Sequence, residues 1–252
     1  MATIAWSQGP GIWLRAAVSG TARALLGTYQ RGAQTFRSAP LLVALAVVPQ
    51  FAQHAFEIQA DMFDSKDAFR ALQMDPVRWV FGNIKVAGLL SAMLLIARFW
   101  ACGSVRRALL VPPRDLLRLV LLLGATFAAD ALFRTLGESL PALSWIATGL
   151  NLYAQFGLFL LLVAALLGDR ELTLRDAFTR RWTTNLFLTL LLVAAFAPAA
   201  LLHKANHALA FGATEPSVWG LMAFDSVVIG LLASLVGAAI NVGYEVAPSR
   251  RP

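Results

Sequence analysis

His54, Glu57 and Asp61 follow one another at i, i+3 and i+7, which puts one imidazole and two carboxylates on one helical face. His203 and His207, at i and i+4, share a face in the same way. Imidazole nitrogen combined with carboxylate oxygen suits Zn²⁺, Ni²⁺ or Cu²⁺, so His54, Glu57, His203 and His207 form a candidate metal set. The competing reading is that amphipathic residues collect where helices leave a membrane. A second set is Lys85, Asp130 and Asp225, charges embedded in long apolar runs. An unpaired ion there costs at least about 2.5–3.5 kcal/mol. With Arg134, one turn from Asp130, they make two cations and two anions, a neutral buried network. No Gly-x-Ser-x-Gly, His-Glu-x-x-His or P-loop is present. Beyond a divalent metal, no cofactor is evident.

The elements that must carry these residues follow from composition. The chain has 252 residues, 58% hydrophobic and 14% charged, against about 45–50% and 25% in soluble domains. That leaves too few charges to solvate a soluble fold of this size. A helix crossing the hydrocarbon core needs roughly 20 apolar residues. Six segments qualify, at about 39–59, 79–100, 116–137, 143–168, 185–205 and 217–244. The expected fold is all-α, a polytopic bundle of about six transmembrane helices. Pro49 and Pro198 predict kinks in the first and fifth. Cys102 excludes an internal disulfide and reads as a small apolar residue.

Basic residues set the orientation. Arg15, Arg23, Arg31 and Arg37, the arginines from Arg98 to Arg118 and from Arg170 to Arg181, and Arg250 and Arg251 fall on one side. They outnumber Lys66, Arg70, Arg78, Arg134 and Lys204 on the other. Both termini are therefore expected to be cytoplasmic, in a plasma (bacterial inner) membrane. Lys85, Asp130 and Asp225 then lie roughly 9–12 Å below the outer surface. Gln50, Gln53, Asn151 and Gln155 share that outer half, which suggests a polar cavity open to the outside.

Residues 1–38 read as an amphipathic segment on the cytoplasmic face, 39–244 as the six-span domain, and 245–252 as a short tail. In the first, Leu14, Val18, Leu25, Tyr29 and Phe36 form an apolar stripe. Arg15, Arg23, Arg31 and Arg37 are expected to meet anionic headgroups, with Gly20, Gly27 and Gly32 weakening the helix. Residues 173–184 form a similar interfacial helix before the fifth span, with Thr173 and Asp176 at capping-box spacing. Ser65 should cap a short outside helix that ends before Pro76. Ser226, Gly230, Ser234 and Ala238 make a small-residue helix-packing face, suited to a homodimer, a partner subunit or the bundle itself. The step from Pro49 to His54 equals that from Pro198 to His203, an echo between the first and fifth spans.

A basic amphipathic segment feeding the first span, and LRDAFTRRWTTNLFLTLLL feeding the fifth, resemble the six-helix bacterial membrane proteins related to the glycerophosphodiester phosphodiesterase membrane domain. The resemblance is one of layout and implies a membrane bundle. It carries no functional residue across, and the chain has no phosphodiesterase domain. The leading functional expectation is a non-enzymatic membrane protein. It would bind or transport a small solute, or support envelope lipids, through the outer-half polar cavity. The alternatives are an accessory or assembly subunit of a larger membrane complex and a membrane enzyme acting on lipid headgroups. The bilayer, with anionic headgroups on the cytoplasmic face, is the expected partner, and nucleic acid is not.

Overall fold

The computed structural model describes the backbone of residues 10–246 and the side chains of residues 19–245. Helices α1 (Pro10–Ser38), α2 (Pro40–Gln59), α3 (Lys66–Leu72), α4 (Pro76–Cys102) and α5 (Val105–Leu109) come first. They are followed by α6 (Pro113–Ser139), α7 (Ser144–Leu167), α8 (Leu174–Thr179), α9 (Trp182–Ala210) and α10 (Glu215–Val246), with a 3-10 turn at Pro141–Leu143. Six are long and apolar enough to cross a membrane: α2, α4, α6, α7, α9 and α10. The protein is a membrane-embedded helical bundle.

Local chemistry sets the helix ends. Pro40, Pro76, Pro113 and Pro141 begin their helices, where a missing N–H costs nothing and φ is already helical. The Asp75 carboxylate accepts from the backbone of Val77 and Arg78, and the Ser65, Ser104 and Thr173 hydroxyls cap α3, α5 and α8. Gly103 (φ 72°) and Gly168 (φ 82°) end α4 and α7 in the left-handed region.

Helix α10 is the axis. It packs against α9, α4, α2 and α1, and most of its apolar window is buried, whereas none of the α6 window is. In lipid the apolar faces of helices gain little by meeting, so close packing has to bring them together. Small residues do so here. A Cβ on Gly230 would fall 2.5 Å from Val47, and one on Gly237 would fall 2.7 Å from Ile96. Pro49 leaves the Leu45 carbonyl without its helical donor, and Gly88 of α4 packs onto that carbonyl, so closely that a Cβ there would lie 2.3 Å from it. The α6–α7 hairpin is peripheral. Helix α6 rests on α7, and α7 docks through its second half, where Leu160, Leu161, Val163 and Ala164 are buried.

Helix α1 differs from expectation. It is continuous through Gly20, Gly27 and Gly32 and packs along α10. Its buried stripe is Ala24, Thr28, Gly32, Thr35 and Ala39, with Tyr29 exposed. Close approach requires small side chains, and a Cβ on Gly32 would lie 2.6 Å from Leu235. Arg31 bonds to Asn241 and pairs with Glu245 at 2.9 Å, over the Trp100 ring, which ties α1 to the end of α10. Arg23 and Arg37 are exposed. The side chains of Leu14, Arg15 and Val18, with Arg250 and Arg251, lie outside the described residues.

The end of the bundle that carries the α4–α6 and α7–α9 connections is rich in arginine and tightly tied. Arg98, read as a loop cation, is buried and donates to the Ala108 and Leu166 carbonyls. Arg170 grips Asp115 through two bonds of 3.1 and 3.0 Å. Asp169 accepts from Tyr244 at 2.6 Å and from the backbone of Glu171 and Leu172. Burial opposes ionisation of Asp169, but those donors outweigh it and hold the carboxyl below its usual range. Helix α8 packs on α7, with Phe178 against Gly157.

Candidate metal centre

The opposite end holds the polar site. Its core is Asp225 of α10, fully buried. The carboxylate accepts from Gln50 Nε2 of α2 and Asn206 Nδ2 of α9, each at 3.1 Å. Ring nitrogens of all three histidines surround one of its oxygens, Oδ2. His203 Nδ1 is at 2.7 Å, His54 Nε2 at 3.0 Å and His207 Nε2 at 3.8 Å. The His203 and His207 rings stand 4.6 Å apart, and those of His54 and His207 5.1 Å. The chain contains 3 histidines, so every one of them converges on this carboxylate.

The site is built in depth. His54 Nδ1 meets Glu57 Oε2 at 3.0 Å, and the other Glu57 oxygen accepts from Gln53 at 2.8 Å and Arg78 Nε at 2.9 Å. Arg78 thus neutralises Glu57, and Glu57 orients the His54 ring. With Nδ1–H given to Glu57, His54 Nε2 carries the lone pair, which accepts from Gln50 Nε2 at 2.6 Å beside Asp225. His207 Nε2 is buried without a hydrogen-bond partner among the described residues. A buried polar atom left so costs about 1–3 kcal/mol.

His54, His207 and Asp225 each offer a ligand atom within 4.8 Å of the others. Tetrahedral zinc ligands lie about 3.3 Å apart, as a Zn–N distance of about 2.0–2.1 Å requires. The spacings of His54 and His207 from Asp225 Oδ2, 3.0 and 3.8 Å, bracket that value, and His203 lies outside this group of mutually close ligand atoms. His203 and His207 also line a cavity of about 390 Å³ with Glu57, Arg78, Lys85 and Lys204, under Phe69 and Phe211. His54 and Asp225 are sealed behind it, at 1% and 0% exposure.

The structure brings His54, Glu57, His203 and His207 together and adds members that sequence spacing missed. Asp225 is their centre. Gln50, four residues before His54, and Asn206, three after His203, belong to the same two faces and complete it. The matched proline-to-histidine steps both deliver a histidine to Asp225. Asp61 drops out: α2 ends at Gln59, and Asp61 turns into the left-handed region (φ 54°) and is exposed.

The expected network of Lys85, Asp130, Arg134 and Asp225 divides in two. Asp130 pairs with Arg134 at 2.6 Å and accepts from Asn151 at 3.0 Å, and Gln155 extends this ladder within the α6–α7 hairpin. Lys85 lines the cavity beside the histidines. Shared depth placed these charges at one level, but Asp130 and Arg134 bond within the α6–α7 hairpin, whereas Asp225 bonds to α2 and α9. The Ser226, Gly230, Ser234 and Ala238 face is buried. Helices α1 and α2 cover it, with Phe36, Val43 and Val47 against Gly230, so it is closed to a second copy or a partner subunit.

Comparison with protein-family models, with curated proteins and with solved structures finds no match.

Proposed function

We propose that this membrane protein binds a divalent transition-metal ion, with Zn²⁺ as the reference case, between His54, His207 and Asp225, with His203 bonded to the same carboxylate beside them. The observation that carries this reading is the convergence of every histidine on one buried carboxylate, with His207 Nε2 left unpartnered beside it. Imidazole nitrogens with one carboxylate oxygen are the ligand chemistry such ions prefer. Glu57 on His54 Nδ1 supplies the outer-shell carboxylate that fixes a ligating histidine's tautomer.

The ion is the small solute of the sequence reading, and it is held, not conducted. Beyond Asp225, toward the arginine-rich end, the core is closed by Leu42, Val43, Ala46, Ile96, Val228 and Leu232. The Ser226 and Ser234 hydroxyls there are turned onto their own helix backbone. A desolvated cation has no ligand path through that layer. The excess of arginine at that end supports a cytoplasmic assignment for it, with the metal site facing the other side of the plasma membrane.

Titration of the purified protein with Zn²⁺ in zwitterionic nanodiscs tests the reading. The expected result is one ion per chain, with affinity falling at least about 100-fold in His54→Ala, since loss of a ligand costs no less than the roughly 10–100-fold of losing an outer-shell partner. Wild-type protein that binds no Zn²⁺, Ni²⁺ or Cu²⁺, or a His54→Ala variant that binds as wild type does, refutes it. Cysteine labelling of Asp64→Cys and Thr214→Cys from outside, and of Ser104→Cys and Thr179→Cys only after permeabilisation, tests the orientation.

A further inference from the structure

The cavity above the histidines contains a charge that the metal reading does not use. Lys85 sits six residues below Trp79 in α4, about 9 Å along the helix, in a stretch whose neighbours Ile84 and Val86 are exposed to lipid. It forms no hydrogen bond or ion pair with a described residue, although Glu57 shares the cavity. Glu57 is already engaged by Arg78 and His54. Lys204 lies on the same wall, exposed and likewise unpaired among the described residues. Retaining a cation at that depth calls for a counter-charge. Without a metal, the buried Asp225 carboxylate behind the cavity contributes a negative charge to that end of the bundle. A divalent ion bound to Asp225 reverses that charge. Arg78 offsets Glu57, Asp225 offsets half of the ion's charge, and the other half is left unbalanced together with Lys85 and Lys204. Such a cavity repels further cations and attracts an anion carrying more than one charge. Its volume, about 390 Å³, exceeds the roughly 30 Å³ share of a water molecule many times over, enough for a phosphate group with its hydration.

From this we infer that the cavity lined by Lys85 and Lys204 binds a phosphate group, and that metal and phosphate binding strengthen each other. The inference rests on the metal reading and deepens it by naming the class of ligand the loaded site takes. The phosphate can belong to a lipid headgroup or to a soluble phosphate, since the chemistry is shared.

Reciprocity gives a direct test, because two coupled ligands change each other's affinity by the same factor. Phosphate binding is measured in phosphatidylcholine nanodiscs with inorganic phosphate, with and without Zn²⁺, and Zn²⁺ binding with and without phosphate. Both affinities should rise about tenfold, by equal factors. In Lys85→Met the phosphate affinity should fall at least tenfold while that for Zn²⁺ holds or tightens. Lys85→Arg should restore phosphate binding. Lys204→Met, at an exposed position, gives the same readout in smaller degree should Lys85→Met fail to fold. Phosphatidic acid added to the nanodiscs should compete with inorganic phosphate if the source is a lipid; absence of competition assigns a soluble source. Phosphate affinity indifferent to Zn²⁺, or unchanged in both lysine variants, overturns the inference and leaves the metal reading standing. Absence of metal binding in the wild type removes both, and the Zn²⁺ titration alone reports it.

Discussion

Replacing Asp225 by asparagine preserves shape and removes charge, which makes it the sharpest probe of the site. The carboxylate has no exposure and receives Gln50, Asn206 and His203, with His54 at 3.0 Å. An asparagine keeps one acceptor oxygen and turns an NH₂ group toward the other donors. At least two charge-assisted bonds are lost, each worth about 1.5–3 kcal/mol. The expected loss is therefore about 3–5 kcal/mol, the range for removing one partner from a buried ionic set. Reversible unfolding in mixed detergent and SDS micelles, with chelator present, measures it independently of metal. Zn²⁺ affinity, measured separately, should fall about 100-fold or more. A variant within about 1 kcal/mol of wild type in chelator would show that the donors around Asp225 find other partners and that the carboxylate does not organise the site.

Chelator alone should lower the unfolding free energy of metal-loaded wild type by about 2.7 kcal/mol when free Zn²⁺ had stood at 100 times Kd, and that of His54→Ala at the same free Zn²⁺ by no more than about 0.4 kcal/mol. Gly88→Ala drives a Cβ to 2.3 Å from the Leu45 carbonyl and should cost about 1–3 kcal/mol; an unaffected melting temperature would mean that α2 and α4 part freely. Arg98→Met withdraws the donors from the Ala108 and Leu166 carbonyls and should cost about 2–4 kcal/mol, with faster proteolysis of the α4–α6 loop as the local readout. Asp169→Asn should destabilise at neutral pH. A carboxyl held below its usual range stabilises the fold above the unfolded value near 3.9, and that stability disappears as pH falls through the folded value. The difference from wild type should therefore close in acid, and a pH-independent difference would exclude the charge as its source.

Six spans were legible because long apolar runs have few alternatives, and the structure moves their ends by a few residues, as where 185–205 becomes Trp182–Ala210 and 39–59 becomes Pro40–Gln59. The two histidine faces were also legible, since i, i+3 and i+4 spacings report a shared face whatever the surroundings. Asp225 was not recognised as their centre for a physical reason. Helix α10 is apolar nearly all round, so periodicity assigns it no face, and depth together with charge balance joined Asp225 to Asp130. Depth is common to every helix in a bundle; direction around the bundle axis is not, and it follows from which helices touch. The α1 stripe was misplaced by one position because apolarity was read as burial. In a membrane the close-packed seam belongs to small residues such as Ala24, Thr28 and Gly32.

The central position of α10 bears on how the protein is made. Synthesis runs from α1 to α10, so the helix that supplies Asp225 and contacts α1, α2, α4 and α9 emerges after the other described helices. Until then α2, α4 and α9 must wait in the bilayer with Gln50, His54, Asn206 and Lys85 lacking the carboxylate that organises them. The α6–α7 hairpin, whose contacts are mostly its own, can close during that interval. Assembly of the rest is then a single late event, and a chain stopped before Glu215 would insert its earlier spans yet expose unsatisfied polar groups within the membrane, the kind of feature by which quality-control proteases distinguish unfinished membrane proteins from finished ones.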